Sequence, residues 1–118
     1  MTLVYLKHVD IVHFKNDVDE SLEERLKNLD LISEFCNKCG SHKIIFDLVG
    51  SSSKKNFRKE YQFARRFRTW RSGYKIAVVY SSKATEFTLI REFVMNHSGK
   101  NLRRQQTVDE AIDWLLGE

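Results

Sequence analysis

The chain has 118 residues, 42% of them hydrophobic and 31% charged, with a formal net charge of +4, no proline and two cysteines. That length fits one domain with a core large enough to fold without disulfides or metal, and the apolar content excludes a disordered chain. The longest apolar run falls far short of the roughly 20 residues that cross a bilayer, and the start Met1-Thr2-Leu3 is strand-like rather than a signal segment, so no membrane span and a cytoplasmic location are expected.

The charge is unevenly distributed. Asp17, Asp19, Glu20, Glu23, Glu24, Asp30 and Glu34 make the segment 17–34 acidic, whereas nearly every charge between Lys54 and Lys75 is positive. Two readings follow: a polar partner surface, or two neighbouring helices that neutralise each other.

In chain order, Leu3 to Leu6 and Asp10 to Phe14 alternate with a period of two and predict one bent strand or two. His8-Val9 lacks the Asn-Gly or Asp-Gly of a tight hairpin turn, so the choice stays open. Asn16 or Asp17 closes this region, and Asp19 is placed to cap a helix whose first turn carries Glu20, Glu23 and Glu24. Leu22, Leu26, Leu29, Ile32 or Ser33, Cys36 and Cys39 form its apolar stripe, and Gly40 supplies the C-terminal stop. The run Lys43-Ile44-Ile45-Phe46-Asp47-Leu48-Val49 then reads as the central strand of a sheet.

Gly50-Ser51-Ser52-Ser53-Lys54-Lys55 is a loop by composition. A basic helix, capped by Ser53 or Asn56, is expected to run to about Trp70 with Phe57, Tyr61, Ala64 and Phe67 inward and Arg58, Arg65 and Arg68 together on its flank. Ser72-Gly73 ends it. Tyr74 to Tyr80 predicts a strand apolar on both faces, as interior parallel strands are. A further helix opens at Ser81 or Ser82, carries Phe87, Ile90 and Val94, and closes at Gly99. Asn101-Leu102-Arg103-Arg104 reads as a polar edge strand, and Thr107 with Glu110 as a capping box for a last helix burying Val108, Ala111 or Ile112, and Leu115. The alternation predicts an α/β domain, a mostly parallel sheet of four to five strands with about four helices and right-handed crossovers.

In this order of elements the chain resembles the STAS superfamily, the domain of anti-sigma-factor antagonists and sulfate transporter tails, and within it the stage II sporulation protein AA-like group. The resemblance spans nearly the whole chain. It rests on Lys43 to Leu48, on Lys75-Ile76-Ala77-Val78-Val79, and most of all on Asn101-Leu102-Arg103 followed by Thr107 to Leu115. It implies a single STAS-like domain, its sheet covered by helices mainly on one face, that binds a protein in bacterial regulation without catalysis. In anti-sigma-factor antagonists an Asp-Ser-(Ser or Thr)-Gly motif at the start of the second helix carries the phosphorylation switch. Here the matching stretch is Lys55-Asn56-Phe57-Arg58, without a hydroxyl. CRAL-TRIO lipid-exchange domains are likened to these folds, but this chain is too short for a long acyl pocket.

The candidate sites each carry two readings. Ser51, Ser52 and Ser53 precede a helix N-terminus and are candidate phosphorylation sites that Lys54, Lys55 and Arg58 could pair with, or they are ordinary capping serines. Lys54, Lys55, Arg58, Arg65, Arg66, Arg68 and Arg71, interleaved with Phe67 and Trp70, suit an acidic protein, a nucleic acid whose bases stack on the aromatics or an anionic lipid surface, or they are a solvated helix face, and the spacing assigns Phe67 to the core. Exposed Trp70 or Tyr74 would favour an interface there, a homodimer included. Cys36, Cys39 and His42 lack the further ligands of a zinc site and sit at a helix C-terminus, where the dipole opposes thiolate formation, so structural thiols and no metal are expected. Asp47 lies at a strand end where open parallel sheets place ligands, or it fixes the loop beginning at Gly50. No nucleophile elbow, phosphate loop or catalytic triad spacing occurs, so a non-enzyme without cofactor is expected, with nucleic-acid binding and small-ligand or lipid carriage as alternatives.

Overall fold

The computed structural model describes residues 2–16, 21–48, 62, 65–67, 70, 73–79 and 101–117. Five strands, β1 (Thr2–Leu6), β2 (Ile11–Lys15), β3 (Lys43–Asp47), β4 (Lys75–Val79) and β5 (Asn101–Gln105), form one mixed sheet in the order β1-β2-β3-β4-β5. β1 pairs antiparallel with β2, and the remaining neighbours are parallel. The start of the chain is therefore two strands. They join through Lys7–Asp10, where Val9 N–H donates to the Leu6 carbonyl at 3.1 Å and Asp10 takes a left-handed φ of 56°. Asp tolerates that conformation better than most residues, which lets a turn form without glycine.

β3 is the middle strand, and it buries both faces. Ile44 and Phe46 point to one side, Ile45 to the other, and register pairs Ile44 with Ile76 and Phe46 with Val78 on β4. Alternation thereby divides the interior in two. The first core joins Val12, Phe14, Ile44, Phe46, Ile76, Val78 and Leu102 to Leu29, Ile32 and Cys36 of α1 (Leu22–Cys39) and to Phe67. The second joins Ile11, Ile45, Ala77 and Val79 to Ala111 and Leu115 of α2 (Val108–Leu116). Among the described residues helices thus stand on both faces, with α1 and Phe67 on one and α2 on the other.

α1 begins at Ser21 rather than at the expected Asp19, which lies outside the described residues. Ser21 Oγ accepts from Glu24 N–H and Glu24 Oε1 accepts from Ser21 N–H, both at 3.2 Å, a complete capping box. Gly40 ends the helix with a φ of 73°, the left-handed stop that its lack of a Cβ permits. Buried Ser41 then donates to the Asp10 carbonyl at 2.8 Å and ties the helix end to the β1–β2 turn. Of the basic helix, Gln62 and residues 65–67 are described and helical, while Phe57, Tyr61 and Ala64 lie outside the described residues, as does the helix expected between Ser81 and Gly99.

α2 has Thr107 as its N-cap, accepting from Glu110 N–H at 3.1 Å, but Glu110 turns its carboxylate to Gln106 N–H at 3.4 Å, so the predicted box is half formed. Its last turn carries no basic residue. Lys75 of β4 takes that role: its Nζ donates to the Trp114 carbonyl at 2.6 Å and to the Gly117 carbonyl at 3.2 Å, and lies 4.5 Å from the Trp114 ring centre. A cation at a helix C-terminus satisfies orphan carbonyls and opposes the dipole.

Lys75→Met is expected to lower unfolding free energy by about 1–2 kcal/mol through these charge-assisted bonds, read as a lower urea midpoint with an unchanged slope. An unaltered midpoint would mean that the clamp adds nothing to stability. In the hairpin, the bond from Tyr5 Oη to Asp10 Oδ1 at 2.6 Å, with Asp10's own charge, holds the Tyr5 phenol above its ordinary 10.0. A folded pKa above the unfolded one means that the stabilisation is complete below the unfolded value and lost as pH rises through the folded one. Asp10→Asn, which keeps a residue that tolerates the left-handed turn, is expected to bring the Tyr5 ring-carbon titration down toward that of an ordinary tyrosine, and an unmoved titration would count against this bond.

Candidate functional site

Because β2, β3, β4 and β5 run parallel, their carboxyl ends share one edge of the sheet, the place where open α/β sheets hold ligands. Backbone bonds stitch this edge beyond the strands: Asn16 N–H donates to the Asp47 carbonyl at 3.0 Å and Leu48 N–H to the Val79 carbonyl at 2.9 Å. Asp47 lies here, as expected. It is 6% exposed, and its Oδ2 meets His13 Nε2 at 3.1 Å. The register explains the contact: His13 stands opposite Ile45, so Asp47, two residues on, shares its face diagonally. A buried carboxylate needs such a partner, because leaving it unmatched in a low dielectric is costly. The His13–Asp47 contact escapes sequence reading, since it depends on the pairing of two strands that are 34 residues apart.

Of the other residues singled out from the sequence, Gly50, Ser51, Ser52, Ser53, Lys54, Lys55, Arg58 and Arg68 lie outside the described residues. Arg65 is exposed, as is Arg66. Phe67 and Trp70, the described aromatic residues beside these arginines, turn the other way. Phe67 is buried, its ring 5.5 Å from that of Phe46, and Trp70 stacks on Phe67 at 5.2 Å while donating its indole N–H to the Leu29 carbonyl of α1 at 3.1 Å. Tyr74 is buried and lies 6.3 Å from Trp70. These rings are committed to the core and are not a stacking platform for bases, and the interface that exposed Trp70 or Tyr74 would have favoured loses that support.

The same contacts bring the acidic and basic segments together. Asp30 and Arg66 line one open cleft with Leu26, Leu29 and Trp70, about 260 Å³ in volume. Its size falls just below the range of small-molecule pockets, roughly 300–1,000 Å³, and its open, partly charged wall is unlike an acyl chamber. Cys36 is buried and Cys39 half-buried, neither in a disulfide, and the His42 ring packs 5.0 Å from that of Tyr74. Among the described residues no group of three or more His, Cys, Asp or Glu could hold a metal, and no helix is long and apolar enough to cross a membrane.

A double-mutant cycle of His13→Ala and Asp47→Ala is expected to give a coupling of about 1 kcal/mol in urea unfolding, the size of a partly buried hydrogen bond. Additive effects would instead place the stability contribution of each residue in its other contacts. Comparison of the whole chain with protein families, with curated proteins and with solved structures finds no match.

Proposed function

We propose that this chain is a non-catalytic, STAS-like interaction domain, without the usual phosphoserine motif, that binds a regulatory protein partner through the loop from Gly50 to Lys55 and the arginine flank of the basic helix. The observation that carries this reading is the division of labour among Arg65, Arg66, Phe67 and Trp70. Phe67 and Trp70 fix the segment to the sheet and to α1, so Arg65 and Arg66 face outward on a rigid support, on the chain that leaves β3 at Asp47. Two cations held on a packed element lose less side-chain freedom on binding than the same cations on a free tail. An acidic protein surface is the complementary partner.

Nucleic-acid binding would use the same arginines, but without Phe67 and Trp70 as the stacking platform that strengthens single-strand contacts. The two partners separate by salt. Phosphate contacts weaken steeply with ionic strength, by roughly 0.7–0.9 in logarithmic slope per neutralised phosphate, whereas a packed protein contact weakens less.

The test is affinity capture from native extract with the wild type and with Arg58→Glu, Arg65→Glu and Arg68→Glu combined, with and without nuclease, followed by binding of the identified partner across a salt series. A protein partner retained through nuclease treatment and lost with the triple variant is the expected result. Retention of nucleic acid alone, or equal capture by both proteins, would overturn the reading.

A further inference from the structure

We propose that β1 is the contact strand of a two-fold dimer, in which the β1 strands of two copies of this chain pair antiparallel and the two five-stranded sheets become one. Among the described residues the sheet has two outer strands, β1 and β5, and they are built differently. β5 carries Arg103 and Arg104, the kind of charge that keeps sheet edges from pairing. β1, Thr2-Leu3-Val4-Tyr5-Leu6, carries no charge, and its one-to-one register with β2 from Thr2–Lys15 to Leu6–Ile11 contains no bulge. It therefore lacks the usual devices that blunt an edge.

The order of residues identifies the occupant. Antiparallel pairing of β1 with its own copy about Val4 sets Val4 against Val4, Leu3 against Tyr5, and Thr2 against Leu6. Each pair is apolar or neutral and β-favouring, including an aliphatic–aromatic pair of the kind that stabilises neighbouring strands. The equivalent pairing of β5 about Arg103 would set Arg103 against Arg103, like charges directly opposite. Val4 is 44% exposed, a large apolar side chain left to water at the centre of the strand, whereas Leu3 and Tyr5 already pack against the first core. Pairing would cover Val4 and carry that core across the two-fold axis. The contact is isologous, so it closes at two copies.

Sedimentation equilibrium of the full chain tests this over a wide concentration range. The wild type is expected to reach twice its 14.0 kDa mass. Val4→Lys, which sets two cations opposite each other, is expected to raise the dissociation constant about tenfold or more, while Leu31→Lys on the exposed side of α1 leaves it unchanged. Far-UV circular dichroism confirms that each variant is folded. As an independent readout, Val4→Cys with Cys39→Ser is expected to form a disulfide-linked dimer on mild oxidation, because facing Cα atoms of paired strands lie about 4.5–5.5 Å apart, within disulfide reach. A wild type that stays at 14.0 kDa, a dimer indifferent to Val4→Lys, or a species that keeps growing beyond two copies would overturn the proposal.

Discussion

Every other element depends on β3 being sealed on both faces. A strand with Ile44 and Phe46 on one side and Ile45 on the other has no solvated surface to offer, so the chain must supply cover above and below it. α1, Phe67 and Trp70 cover one side and α2 the other. Phe46 gathers aromatic contacts, with the rings of Phe14, Phe67 and Trp70 all within 6.0 Å of its centre in edge-on geometry. Such pairs add about 0.5–1.5 kcal/mol each beyond their buried area. Phe67 and Trp70, the described rings of the basic segment, are thus accounted for by packing.

That accounting bears on function. A helix that alternates arginine with aromatic residues has the composition of a nucleic-acid binder, and composition does not distinguish rings that face bases from rings that face a core. The inward Phe67 and the indole bond from Trp70 to Leu29 make the distinction, and they leave charge, without stacking, as what residues 65–67 display. Asp30 and Arg66 lining one cleft also joins the acidic and basic segments that sequence order keeps apart, which weakens the uneven charge distribution as a sign of a partner.

Features carried by short-range chemistry were readable in the sequence. The central strand, the stripe from Leu22 to Cys36 with Gly40 as its stop, and the burial of Leu115 follow from periodicity and capping, while the choice between Ala111 and Ile112 needed the structure. Ser21 was equally readable, since Ser21-Leu22-Glu23-Glu24 has the spacing of a capping box, but Asp19 offered a competing cap two residues earlier. Features that depend on register were not. His13 with Asp47, Ser41 with the Asp10 carbonyl, and Lys75 with the end of α2 each join residues more than 30 positions apart, and the half-formed box at Thr107 turned on whether Glu110 reached back one residue further, to Gln106. The candidate site was the least readable part, because Asp47 could be placed at a strand end but its partner could not.

The two-sided sheet also imposes an order on synthesis. The first core draws on α1 and on strands that emerge early, so much of it can assemble while the chain is still being made. The second has Ile45 and Ala77 in place long before Ala111 and Leu115 follow. Until residues 108–116 leave the ribosome, Ile11, Ile45, Ala77 and Val79 lack the cover that Ala111 and Leu115 give them, a transient apolar surface on which a chaperone could act.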